Sequence, residues 1–300
     1  MKNSPNVSLL AAFSLTFLIS AIVTISDCVN SVPPENPTAS VPVATSPVNN
    51  NLVATDNTEA AALRTQAMVG DINAACQLGF LYADGDGVPS NEDEATRWLK
   101  LAADHGDLCA QAGLYENGLG VSLSKQKAFS LYTQAAATGN SYAQYRLGLC
   151  YTSGYVVEKN YAEAVNWFQK AADQGNEKAE ISLSAIYYKG DGVPKDLSQS
   201  LKWTQKAADQ GNVTAEALLG SFYYEGVVVS KDLSQAAEWF QKAADHGDAD
   251  SQLQLGEMYK NGEGVPKDVQ QAMDWYQKAA SNGNTKAQDA LKRMRATVSP

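Results

Sequence analysis

Two apolar rhythms alternate along this chain, and each predicts a helix. Ala179, Leu183 and Tyr187 fall at i, i+4 and i+8, one stripe on the side of a helix. Gly190 follows, where a left-handed residue ends such a helix. Gly192-Val193-Pro194 then makes a turn that sends Val193 inward. Asp196 opens a second helix as its N-cap, with Gln199 three residues on in a capping-box arrangement. In that helix Trp203 and the Ala207-Ala208 pair face the first one. The small alanines let two backbones approach, and the indole fills the remaining space. Gly211 ends the unit, which is an antiparallel helix pair.

The same unit recurs as A-x-x-x-L-G-x-x-Y-x-x-G-x-G-V-x-x-x-D-x-x-x-A-x-x-W-x-x-x-A-A-x-x-G. Its tyrosine falls at Tyr82, Tyr115, Tyr151, Tyr187, Tyr223 and Tyr259, the last four steps being 36 residues and the first 33. A fixed period of this size predicts an all-α fold, a right-handed α/α solenoid of helix-turn-helix repeats. The capping pair recurs at Asn91/Glu94, Asn160/Glu163, Asp232/Gln235 and Asp268/Gln271. The second copy is three residues short before Tyr115, has Leu131 in place of Trp, and carries Ser124/Lys127 as its capping pair. A shorter first helix and a local irregularity are expected there. Residues 74–283 hold six repeats. Residues 59–73 are expected to form an N-terminal capping helix, and residues 284–300 a C-terminal capping helix and tail, with Lys292, Arg293 and Arg295 on a polar outer face.

The motifs L-G-x-x-Y, G-x-G-V, A-x-x-W and A-A-x-x-G resemble those of the Sel-one-like repeat family, relatives of the tetratricopeptide repeats. "AQYRLGLCYTSGYVVEKNYAEAVNWFQKAADQGN" (Ala143–Asn176) is a close match. The resemblance implies a tetratricopeptide-like solenoid and a role in protein binding, with bacterial envelope or host-interaction settings. Because a fold hosts many functions, it does not name a partner.

Composition adds location and excludes some partners. Lys2 precedes an uncharged run from Val7 to Ser26, so residues 1–26 are expected to be a cleaved signal peptide or a signal anchor. Cys28 raises a lipoprotein signal, but Asp27 stands where a small residue is wanted. Residues 27–58, rich in Pro, Ser, Thr and Asn, are expected to be an extended disordered linker. The protein is therefore expected to be exported, periplasmic or secreted, touching membrane only through that N-terminal anchor. The 33 acids outnumber the 23 bases, which argues against nucleic acid as a partner. A monomer is expected.

Little in the chain points to catalysis, a cofactor or a metal. His105 and His246 lie four repeats apart, each one residue before a helix-ending Gly, in a slot that holds Gln174, Gln210 and Asn282 elsewhere. The slot is expected to be polar surface, and the two histidines cannot share a zinc ion. Cys76 and Cys109 each lie six residues before the anchor tyrosine. Helices spaced about 8–10 Å apart exceed the roughly 7 Å Cα limit of a disulfide, so buried thiols are expected and a bond between the two stays open. Exported relatives in the family carry a regular cysteine pair in each repeat, a pattern lacking here. The resemblance also brings in β-lactam binding. Ser122–Lys125 matches S-x-x-K, but no S-D-N or K-T-G accompanies it. Ala83–Glu92 resembles a calcium loop, yet lacks EF-hand spacing.

A partner surface is expected on the first helices. Counting the pattern's Ala as place one, places three, seven and ten point away from the stripe at about 100° per residue. From these places come the groove candidates Phe80, Tyr145, Leu149, Ile181, Tyr188, Ser221, Tyr224 and Glu257. The expected ligand is a protein or peptide, with Tyr188 and Tyr224 as the foremost exposed anchors.

Overall fold

A computed structural model describes residues 58–298, and among these all regular structure is α-helical. The expected signal and linker segments lie outside the described residues, apart from Thr58. Six helix pairs follow in chain order. They are α2 (Ile72–Asp84) with α3 (Glu92–Asp104), α4 (Leu108–Asn117) with α5 (Lys125–Ala137), and α6 (Ser141–Ser153) with α7 (Tyr161–Ala172). Then come α8 (Glu177–Lys189) with α9 (Leu197–Asp209), α10 (Val213–Glu225) with α11 (Leu233–Asp245), and α12 (Ala249–Asn261) with α13 (Val269–Ser281). Single helices flank them, α1 (Thr58–Met68) and α14 (Thr285–Val298). The members of each pair pack on one another, as the α/α solenoid expectation requires. Residues 58–174 form one compact group and residues 175–298 another.

Local chemistry sets every boundary. Each first helix ends at a left-handed glycine such as Gly190, φ 78°. Each second helix starts at Asn91, Ser124, Asn160, Asp196, Asp232 or Asp268, whose side chain accepts from the backbone N–H three residues on. Ser124 keeps this bond in the short second repeat. The capping box is only half formed. The N–H of each cap residue donates to the carbonyl of the anchor tyrosine at 2.9 Å, as Asp196 does to Tyr187 and Asp232 to Tyr223. A backbone bond thus takes the place expected for the Gln or Glu side chain. The residue after each helix-ending Gly is a second cap that the pattern did not single out. Asp71, Asp107, Asn140, Asn176, Asn212 and Asp248 all accept from the N–H three residues later.

The core follows the stripe. Leu78, Leu147, Leu183, Leu219 and Leu255 are fully buried, with an Ala or Ser beside each at place one. In the second repeat α4 has 10 residues where α2 has 13, the shortening that the three missing residues imply. On α14, Ala287 and Leu291 are buried while Lys292 and Arg293 are exposed.

Candidate interaction surface

Place three of the first helices is buried throughout, and place seven is buried at Phe80, Leu149 and Ala185. Phe80, Tyr145, Leu149 and Ile181 are all buried, between 2% and 8% exposed. These four groove candidates are therefore packing residues, which corrects the expectation of an outward apolar stripe. A helical wheel assigns one buried side to a helix that rests on one neighbour. Here α2, α6, α10 and α12 are each packed by the helix before and the helix after. Phe80 stacks on Tyr142 with ring centroids 4.2 Å apart, and Tyr145 meets Phe168 at 5.9 Å.

Tyr188, Ser221, Tyr224 and Glu257 remain half-exposed, all within residues 175–298. The Tyr188 ring lies parallel to Phe222, 5.9 Å between centroids and 9° between planes. The Lys195 ammonium stands 5.2 Å from its centre. One repeat on, Lys231 stands 5.2 Å from the Tyr224 ring, and the Tyr224 hydroxyl donates to Glu263 Oε2 at 2.7 Å. Burial raises both phenols above their ordinary range. Glu225 adds to this at Tyr188, as the acceptor Glu263 does at Tyr224. In the next repeat Glu257 pairs with Lys260 at 2.6 Å. Ser221 is turned back onto the Ala217 carbonyl of its own helix. The anchors Tyr187 and Tyr223, expected to be buried, are half-buried beside Tyr188 and Tyr224. The strip thus offers ring faces flanked by lysines and carboxylates.

Three features escaped the pattern. The first is the glycine of L-G, which is a seat. A Cβ on Gly148, Gly220 or Gly256 would lie 2.4–2.6 Å from the ring of Phe168, Phe240 or Tyr276. Each of these rings belongs to the residue after the tryptophan, and each is buried. In the fourth repeat the seat is Ser184 and its occupant Thr204, 2.6 Å apart, with Ser200 at 3.1 Å. Side-chain size at the two places could have revealed this pairing.

The second is a buried polar ladder. Gln144, Glu180, Glu216 and Gln252 are buried, each bonded to the residue 30 positions later: Gln174, Gln210, His246 and Asn282. The slot of the second histidine is thus exposed yet structural. His246 Nδ1 lies 2.8 Å from Glu216, whose side chain is only 4% exposed. His105 instead meets the Leu101 carbonyl of its own helix.

The third is a charge cluster within residues 58–174. The Arg146 guanidinium contacts Glu116 at 2.5 Å and Asp84 at 3.6 Å. Tyr132 donates to Glu116 and Tyr142 to Asp84. Elsewhere, Lys125 of the S-x-x-K match points its ammonium at the Tyr155 ring, 4.0 Å from its centre, and Ser122 is exposed in the turn. Cys76 and Cys109 are buried free thiols. Neighbouring Cys109 first, and then burial, pushes the Cys76 thiol well above its usual range.

Comparison with known proteins agrees with this architecture. The Sel1 repeat profile matches residues 72–107, 109–140, 141–176, 178–212, 213–248 and 249–284. A protective antigen of uropathogenic Escherichia coli with an SLR fold is 35% identical, with TM-score 0.61, over 78% of this chain and 51% of that one. This chain therefore spans about half the length of that antigen. A Sel1 repeat protein from Oxalobacter formigenes is 34% identical, with TM-score 0.60, over 66% of this chain and 85% of its own. With six matched repeats that coincide with the six helix pairs, the chain belongs to the Sel1 repeat family.

Proposed function

We propose that this protein is an exported, non-catalytic scaffold that binds a protein or peptide along the first-helix strip of residues 175–298. Sel1 repeat proteins generally act as protein-interaction scaffolds rather than enzymes. One observation carries the reading to this strip: Tyr188 and Tyr224, one repeat apart, keep part of each ring exposed beside a lysine. Aromatic side chains with low rotamer entropy are favoured anchors at interfaces. Export rests on the apolar run behind Lys2, and the description of the E. coli relative as a protective antigen supports it.

Crosslinking capture by the native chain, beside a Tyr188→Ser/Tyr224→Ser variant, tests the scaffold reading. Circular dichroism first confirms that the variant folds. The expected result is a discrete partner held by the native chain and lost by the folded variant. A partner held equally by both contradicts the strip. The intact mass of native protein tests export with cleavage. A processed chain lacks roughly 26 residues, whereas an anchored adaptor keeps them.

A further inference from the structure

Three metal-ligand side chains from neighbouring repeats converge in residues 58–174. Cys76 Sγ on α2, a carboxylate oxygen of Asp107 and Cys109 Sγ on α4 all lie within 4.8 Å of one another. Cys76 Sγ donates to Asp107 Oδ1 at 3.7 Å. The cysteines are 4% and 1% exposed, while Asp107 is half-exposed and opens the cluster to solvent.

The shortened second repeat creates this meeting. Six residues before the anchor tyrosine falls on the fifth residue of α2 but on the second residue of α4. Cys109 is thereby carried next to the cap residue Asp107. In the later repeats the same place holds Tyr145, Ile181, Ala217 and Leu253, which are apolar packing residues.

The spacing suits a tetrahedral ion. With Zn–S near 2.3 Å and Zn–O near 2.1 Å, a tetrahedral centre sets its S···S separation at about 3.8 Å and S···O at about 3.6 Å. The Cys76–Asp107 separation of 3.7 Å is close to that value, and the other donors, within 4.8 Å of one another, need to close by no more than about 1.2 Å. Asp107 Oδ1 also accepts from the Ala110 N–H at 2.7 Å, a bond that orients the carboxylate as outer-shell donors do. Calcium and magnesium want six or more oxygen ligands and do not fit two sulfurs. We propose that Cys76, Asp107 and Cys109 form a site for a thiophilic divalent cation of zinc type, with a fourth position open to water. Binding replaces the two thiol protons, which leave to solvent, and ties α2 to α4 across the irregular repeat.

Cobalt(II) is the probe, because thiolate ligation gives it a near-ultraviolet charge-transfer band. The full chain is reduced and its free thiols counted, so that an oxidised Cys76–Cys109 pair is not mistaken for failure. The expected result is one equivalent of cobalt bound with a thiolate band, displaced by zinc. A Cys28→Ser/Cys150→Ser chain keeps the band, and Cys76→Ser/Cys109→Ser loses it. Should the latter not fold, Asp107→Asn serves instead. It preserves the cap acceptor and should weaken cobalt binding at least about tenfold. The proposal is overturned if the reduced native chain shows no band. It is also overturned if the band survives loss of both cysteines, or if Asp107→Asn binds cobalt as tightly as the native chain.

Discussion

Residues 58–174 and residues 175–298 repeat one helix pair, yet particular aromatic rings on their first helices end up in different settings. In the former, Phe80 is buried against Tyr142, whose hydroxyl is held by Asp84, and Arg146 draws Asp84 and Glu116 together. In the latter, Tyr188, stacked on Phe222 beside Lys195, and Tyr224, bonded to Glu263 beside Lys231, stay half-exposed. A guanidinium beside two carboxylates seals a surface, because a buried charge must be paired and hydrogen-bonded. At Tyr188 and Tyr224 the exposed part of each ring lies beside the lysine. The same scaffold therefore buries one ring and leaves others half-exposed, which is the basis of the proposed strip.

The largest expected effect comes from breaking the sealed cluster. Glu116→Ala leaves Arg146 with one carboxylate, Asp84, beside the Tyr142 hydroxyl, and removes the acceptor of Tyr132. The expected loss is about 3 kcal/mol in urea unfolding. A loss under about 1 kcal/mol would mean that the cluster behaves as surface charge.

Next is the glycine seat. Gly220→Ala places a Cβ 2.6 Å from Phe240 Cδ1, and overpacking of this kind costs about 1–3 kcal/mol. A Gly220→Ser/Phe240→Thr pair imitates the Ser184–Thr204 solution, and should be more stable than the sum of its single changes. Simple additivity in the same unfolding assay would mean that the two places are not coupled.

A smaller effect separates the rungs of the polar ladder. Burial raises the Glu180 carboxyl, partly offset by Lys206 and the Gln210 amide. An acid with a raised folded value holds its proton more tightly when folded. Its contribution to stability therefore falls as pH climbs from the unfolded carboxylate range through the raised folded value. Glu180→Gln should gain under about 1 kcal/mol at pH 7 and nothing in acid, where Glu180 is protonated in both states. The Gln144–Gln174 pair shows that two amides fit. A gain that persists unchanged at low pH would remove ionisation as its cause.

The smallest change in stability should come from the exposed strip. Tyr188→Ser/Tyr224→Ser is expected to shift unfolding by about 1 kcal/mol or less, read in the same denaturant titration. A much larger loss would place these rings with Phe80 as packing residues.

The helix pairs were legible because their signals are local. Caps such as Asp196, the left-handed Gly190 and the Leu183 stripe act over a few residues. Burial of Phe80 and Tyr145 was not legible, because α2 and α6 are packed by the helices before and after, which a single helical wheel omits. The Glu216–His246 and Gln252–Asn282 bonds were hidden for a related reason. They join residues 30 apart in sequence, so the slot of His246 and Asn282 read only as polar surface and Glu216 and Gln252 were not singled out. Tyr188 and Tyr224 differ from Phe80 only in degree: Tyr188 is also stacked, on Phe222, and both stay half-exposed where Phe80 is buried, a difference set by neighbouring helices rather than by the local pattern.

Site-specific photocrosslinking tests the central claim most directly. A benzophenone side chain replaces Tyr188 or Tyr224 in cells that make the full chain. Tyr155, 61% exposed within residues 58–174, takes the same label as a control. The account predicts one discrete adduct from positions 188 and 224 and none from 155. No adduct from either strip position, or the same adduct from all three, would contradict it.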